Sequence, residues 1–310
     1  MMKINKVTLI GLGAMGVFFA PKLDACLGKD RFRVLASGER RGRIESSGVT
    51  LNGVTHHFRV ISPDFKGDPA DLLIMAVKDP GLDQAIEDIR NQVGADTQIL
   101  CVMNGIDSEE RVAAVYGWEH VLYSYMRFSN SMKDSTADFD PEAGSVHFGE
   151  AKNEVFSERV RAIAELFEAC GINYVVEPDM IRGLWLKFMC NIGENMTCAM
   201  LGAPFGVFRV SEHANALRRE AMWEVVRIAN RLGIDIGKRD MEKQEGTIQK
   251  LPFNNKPSTL QDLEKGRKTE IEMFAGKVVK IGRELDIPTP VNWVFYHAIC
   301  AQEEKNAGLF

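Results

Sequence analysis

The chain has 310 residues, 45% hydrophobic and 26% charged, with 38 lysines and arginines against 43 acidic residues and a formal net charge of -5. That length predicts two domains with ordinary globular cores, and the acidic balance argues against nucleic acid or an anionic membrane as the main partner. No stretch is long and apolar enough to span a bilayer, and the six cysteines are scattered with no C-x-x-C pair, so a reduced, cytoplasmic enzyme with no metal site is expected.

The first predicted element is a short apolar strand, 7–10, that runs directly into Gly11, Leu12, Gly13, Ala14, Met15 and Gly16. A G-x-G-x-x-G pattern between a strand and a helix, here through Val17, Phe18, Phe19 and Leu23, is a dinucleotide-binding start. Gly11 permits the tight turn, Gly13 lets the backbone approach a pyrophosphate, and Gly16 lets the helix sit close on the strand. The helix N-terminus then faces the phosphates. A secretory h-region is a competing reading of the same apolar run, but no small-x-small cleavage site leads into a polar mature start. A strand, turn and helix without a ligand is the plainer alternative. Pro21 lies well inside the expected helix and predicts a kink or an early wide turn.

Residues 31–36 read as a second strand, 71–77 as a continuous apolar run of the kind buried in a parallel sheet, and 98–103 repeats that type. Helical patterns at 83–93 and 108–115 lie between them, and this alternation predicts a doubly wound α/β domain. His56 and His57 fall in a polar, hairpin-like stretch. Further strands are expected at 121–128, 145–148 and 173–176, with a helix over 155–169, while the polar region 129–144 gives no substrate signal. Lys78 and the pair Asn104–Gly105 each follow a strand, where open α/β sheets face their ligand crevice. Ordinary turn chemistry also accounts for Asn-Gly.

Beyond Pro178 the pattern turns helical, over about 180–201, 211–232, 259–285 and 290–305. The predicted domains are therefore 1–177, which binds the nucleotide, and 178–310, all helical, with 250–258 as a functional loop between helices. Lys187, Asn191 and Asn195 recur at i, i+4 and i+8 among Trp185, Leu186, Phe188, Met189, Ile192 and Met196. On a helix they form one stripe, which either faces solvent or lines a polar cleft that offsets the desolvation of a lysine and two amides. Ser258, three residues before Gln261, fits a capping box, and a helix N-terminus with a serine is also a carboxylate site. Glu270 reads equally as a surface charge like Glu272.

Taken in order, these motifs resemble the ketopantoate reductase (2-dehydropantoate 2-reductase) family over nearly the whole chain. They are the glycine turn, A-V-K at Lys78, N-G at Asn104, W-x-K-x-x-x-N-x-x-x-N from Trp185 and S-x-L-Q-D from Ser258 leading to T-E-I. The resemblance implies a Rossmann domain followed by a helical domain of the 6-phosphogluconate dehydrogenase-like type, with the substrate in the cleft between them. It implies NADPH-dependent reduction of a 2-oxo acid, foremost 2-dehydropantoate to pantoate in pantothenate and coenzyme A biosynthesis. Another 2-oxo acid and a non-catalytic nucleotide sensor are the alternatives, and the retained Lys187 and Glu270 argue against the sensor.

The resemblance also assigns roles. Lys187 is the general acid, and Glu270 orients it and holds the substrate hydroxyl. Asn255 and Ser258 bind around the substrate carboxylate, and Asn191 and Asn195 shape the pocket. Lys78 and Asn104 bridge cofactor and substrate, while Gly11, Gly13, Ala14, Met15 and Gly16 hold the cofactor. Ser37 stands where many members place an arginine for the 2'-phosphate; Arg40 or Arg41 could serve instead, with Glu39 close by. The expected partner is a small-molecule 2-oxo acid, and a homodimer is admitted as the assembly.

Overall fold

The computed structural model describes residues 2–128, 135–140 and 142–310, so 129–134 and 141 of the polar stretch lie outside the described residues. The chain divides into two compact units, Met1–Ile181 and Arg182–Phe310.

In the first unit the elements run β1 (Val7–Ile10), α1 (Gly16–Leu27), β2 (Phe32–Leu35), α2 (Gly38–Ser47), β3 (Val49–Leu51), β4 (Val54–His56), β5 (Val60–Ile61) and β6 (Ala70–Met75). They continue with α3 (Leu82–Asp88), β7 (Val93–Cys101), α4 (Ser108–Tyr116), β8 (Val121–Arg127), β9 (Thr136–Ala137), β10 (Ser145–Gly149), α5 (Glu158–Ala169) and β11 (Tyr174–Val175). The main sheet has the order β11-β10-β8-β7-β6-β1-β2-β5. From β5 to β8 the pairings are parallel, and β10 then runs antiparallel to β8.

The central strands are buried on both faces because helices cover both, which is why they read as continuous apolar runs rather than alternating ones. Successive side chains serve different cores: Leu72 and Ile74 of β6 pack with Phe18, Phe19 and Phe167, while Leu73 and Met75 pack with Leu82, Ile86 and Val112. Helix α1 continues through Pro21 to Leu27, so no early turn forms there; Gly28, at φ +74°, ends it. The hairpin-like stretch is β3–β4, with β9 added alongside β3 in parallel.

The second unit is helical. Its elements are α6 (Met180–Cys190), whose first turn contains the division between the units, a π-turn at Asn191–Asn195, α7 (Met196–Leu201), α8 (Val207–Val210), α9 (Glu212–Arg231) and α10 (Lys238–Ile248). They are followed by α11 (Ser258–Glu264), a second π-turn at Glu272–Gly276, α12 (Lys277–Glu284) and α13 (Pro290–Asn306). The single helix expected over 259–285 is thus broken. Helix α11 stops at Glu264, and Gly266 at φ +61° takes a left-handed conformation that ends a helix at little steric cost. Among the described residues no helix is long and apolar enough to cross a membrane.

Candidate functional site

The register of the sheet gathers the predicted residues of the first unit at one edge. Ile10 pairs with Leu35 and with Met75, and Met75 with Cys101, so four neighbouring strands end together. Gly11–Gly16, Ser37, Lys78 and Asn104 follow those carboxyl ends, where doubly wound sheets hold ligands.

The three glycines differ in what surrounds them. A Cβ on Gly11, at φ +96°, would lie 2.5 Å from the carbonyl carbon and oxygen of Ala76. On Gly16 it would lie 2.0 Å from the carbonyl oxygen of Gly11, so this glycine lets α1 rest on the turn. A Cβ on Gly13 would meet no atom within 4 Å. The middle glycine therefore faces open space, and α1 begins with neither a side-chain cap nor an acid in its first turn. A bare backbone beside the positive end of a helix dipole fits a pyrophosphate.

Next to this turn is a cavity of about 400 Å³ whose lining includes Gly11, Ser37, Arg40, Lys78 and Gln84. Ser37 occupies the N-cap position of α2, yet its side chain makes no capping bond. Arg41 is engaged with Glu45 on its own helix at 2.9 Å. Arg40 lines the cavity, where partial desolvation and then the charge of Arg43 pull its pKa below the ordinary value. Lys78 is exposed ahead of a short 3-10 turn, Asp79–Gly81, which Arg111 braces through Asp79 at 2.7 Å.

Asn104 is half-buried and precedes Gly105, whose φ is +104°, in the turn into α4. Behind that turn sits an acid that the sequence reading missed. Glu109 is 1% exposed; it accepts hydrogen bonds from the Ser108 hydroxyl at 2.8 Å and the Ser124 amide at 3.1 Å. Burial outweighs those donors and pushes its pKa up from 4.5 to about 7. A carboxyl whose folded pKa is raised stabilises the fold fully below pH 4.5, and that contribution is lost as pH rises through about 7. Glu109→Gln should therefore be more stable than the parent above neutrality, by on the order of 1–3 kcal/mol, with the gain vanishing in acid. Thermal melts across pH measure this, and a difference independent of pH would refute it.

In the second unit, Lys187 lies near the end of α6 and is half-buried, as are Asn191 and Asn195 in the π-turn. The i, i+4, i+8 stripe expected of one α-helix is corrected by that turn. An α-helix advances about 100° per residue, so the position seven after Lys187 would share its face. A π-turn closes with one residue more, so Asn195 moves toward that face, where its amide meets the Asn191 side-chain oxygen at 3.4 Å.

The segment bearing Glu270 is fixed independently. The amide and hydroxyl of Thr269 both donate to Glu303 of α13 at 2.6 Å, and the Ile271 amide donates to the Thr269 hydroxyl. The second π-turn begins two residues after Glu270. Phe188 of α6 stacks on Phe274 of this turn with ring centroids 6.5 Å apart, so the lysine-bearing and glutamate-bearing segments pack together.

The capping box expected at Ser258 does not form. Pro257 is the N-cap residue, and the Gln261 side chain donates instead to the Lys256 carbonyl at 2.8 Å. Ser258 is exposed, as is Asn255, whose carbonyl accepts from the Phe205 amide at 2.9 Å. Helix α11 packs on the first π-turn, which brings this loop to the Lys187 stripe.

A family model described as "Ketopantoate reductase PanE/ApbA" matches residues 7–153, and its C-terminal counterpart matches residues 179–303. A 2-dehydropantoate 2-reductase of Mesorhizobium japonicum is 27% identical over 92% of this chain and 94% of its own length. Among solved structures, a PanE/ApbA family ketopantoate reductase from Ralstonia eutropha JMP134 is similar at TM-score 0.83 and 21% identity, covering 97% of this chain and 99% of that one. The ternary structure of D-mandelate dehydrogenase with NADH and anilino(oxo)acetate is similar at TM-score 0.87 and 20% identity, with the same coverage.

Proposed function

This chain belongs to the ketopantoate reductase family, and on that premise we propose that it reduces a 2-oxo acid with NADPH, 2-dehydropantoate being the foremost substrate. The observation that carries this reading is the π-turn that brings Asn195 toward Lys187 and Asn191 on a helix whose other side chains from Leu184 to Cys190 are apolar. When bound, the nicotinamide supplies the hydride. Gly11, Gly13, Ala14, Met15 and Gly16 hold its pyrophosphate, with Lys78 and Asn104 reaching from the neighbouring strand ends toward cofactor and substrate.

Hydride addition to a 2-oxo carbon builds negative charge on the carbonyl oxygen. The Lys187 ammonium stabilises that charge and delivers the proton, and the Glu270 carboxylate orients the ammonium and accepts a hydrogen bond from the new hydroxyl. Asn255 and Ser258 hold the substrate carboxylate, and Asn191 and Asn195 shape the pocket beside it.

The decisive assay follows NADPH oxidation with 2-dehydropantoate and a panel of 2-oxo acids. The panel includes an aryl 2-oxo acid because the similar D-mandelate dehydrogenase was solved with anilino(oxo)acetate. No turnover with any of them would refute the reading. For the cofactor, Ser37 and Arg40 are the groups suited to the 2'-phosphate. Arg40→Ala should weaken NADPH binding about 10-fold or more, the scale of a charge-assisted contact, and leave NADH nearly unchanged. Arg41→Ala, which removes only the pair with Glu45, should alter neither. Equal losses for both nucleotides in Arg40→Ala would remove this residue from the phosphate site.

A further inference from the structure

Glu194 is the sole acid on the segment from α6 through α7, and it is 6% exposed. In an unbroken α-helix it would be the residue seven positions after Lys187 and would turn its carboxylate toward the lysine's face. The π-turn sets it back, and partners on two other helices hold it there. The Gln244 amide of α10 donates to both carboxylate oxygens, at 2.9 and 3.1 Å. Arg218 of α9, only 1% exposed, places Nη1 3.7 Å from Oε1.

Two further observations mark this as a built clasp. A Cβ on the adjacent Gly193 would fall 2.5 Å from Met222 Cγ and 3.0 Å from the Arg218 carbonyl oxygen, so the turn presses on α9 at consecutive residues. The Arg218 Nε and Nη1 have no hydrogen-bond partner among the described residues, and the guanidinium lies 5.3 Å from the Phe208 ring. Its hold on Glu194 is therefore electrostatic and acts in dry surroundings, where such attraction is strong.

We propose that Glu194 is a positioning residue: the Gln244 and Arg218 clasp on its carboxylate fixes the π-turn, keeps that carboxylate off the Lys187 face, and aligns Asn191 and Asn195 with Lys187 for the 2-oxo acid. The proposal rests on reading those three residues as the substrate-binding stripe.

The test is steady-state kinetics and NADPH titration on full-length E194M/R218M, Q244A and E194Q, with N191A as control. The double variant removes both charges at similar volume, so no buried charge is stranded. It should raise KM for the 2-oxo acid about 10-fold to 100-fold, the scale of a misplaced binding group, with a smaller change in kcat and the NADPH Kd unchanged. Q244A should raise KM less, and E194Q, which keeps an acceptor for Gln244, should recover most of the loss. A folded double variant with parental KM overturns the proposal, as does a fall in NADPH affinity equal to the rise in KM. If the double variant does not fold, parental KM in Q244A overturns it alone. Parental KM in N191A marks failure of the substrate reading and takes the proposal with it; a raised KM there beside parental values in the clasp variants overturns the clasp only.

Discussion

Lys187→Ala should lower turnover by about 100-fold to 10,000-fold, the range for a lost general acid, while leaving the fold and NADPH affinity close to the parent's. The fold is spared because Lys187 is half-buried at the end of α6, whose core contacts come from Leu184, Trp185, Phe188 and Met189. Cofactor affinity should be spared because the proposed cofactor site, the glycine turn and the Arg40 cavity, lies on residues of the other compact unit. Single-turnover hydride transfer and nucleotide titration separate the two effects. Parental turnover in this variant would end the general-acid assignment, and lost nucleotide affinity would move Lys187 into the cofactor site.

Gly13→Val and Gly16→Ala should fail in different ways. A Cβ on Gly13 meets no protein atom within 4 Å, so the valine variant should melt like the parent yet lose roughly 100-fold in cofactor affinity, because the space it fills is where the proposed site needs the backbone to approach the pyrophosphate. A Cβ on Gly16 overlaps the Gly11 carbonyl oxygen at 2.0 Å, so α1 must shift and stability should fall by about 1–3 kcal/mol as binding is lost. Melting curves with and without NADPH distinguish them. Normal binding by Gly13→Val would place the cofactor elsewhere.

The sheet was legible in the sequence because its strands are buried on both faces and stand out as apolar runs, and the glycine turn because sterics restrict Gly11 and Gly16 to glycine. Helices α2 and α10 were not foreseen. Ile44 is the only buried residue of the first, and Met241 and Ile248 are the only ones of the second, too few to set up a helical period. The π-turns were invisible for a related reason: one extra residue shifts the hydrophobic phase without interrupting it, so 180–201 still reads as a single helix. Glu194 did leave a signal, a lone acid in the otherwise neutral run after Lys187, and Glu109 left none, since its burial depends on strand β8 closing over it. The chain's own pairing of Arg41 with Glu45 likewise could not be read from Arg40-Arg41 alone.

The anchoring of Thr269 by Glu303 also bears on how the protein matures. The contact spans 34 residues and reaches into the closing turns of α13. Local helices such as α9 can form early, but a contact this distant must wait for the intervening chain to close its loop. The stretch that presents Glu270 therefore gains its fixed geometry only after α13 is synthesised and docked, later than the strands and glycine turn of the first unit can form.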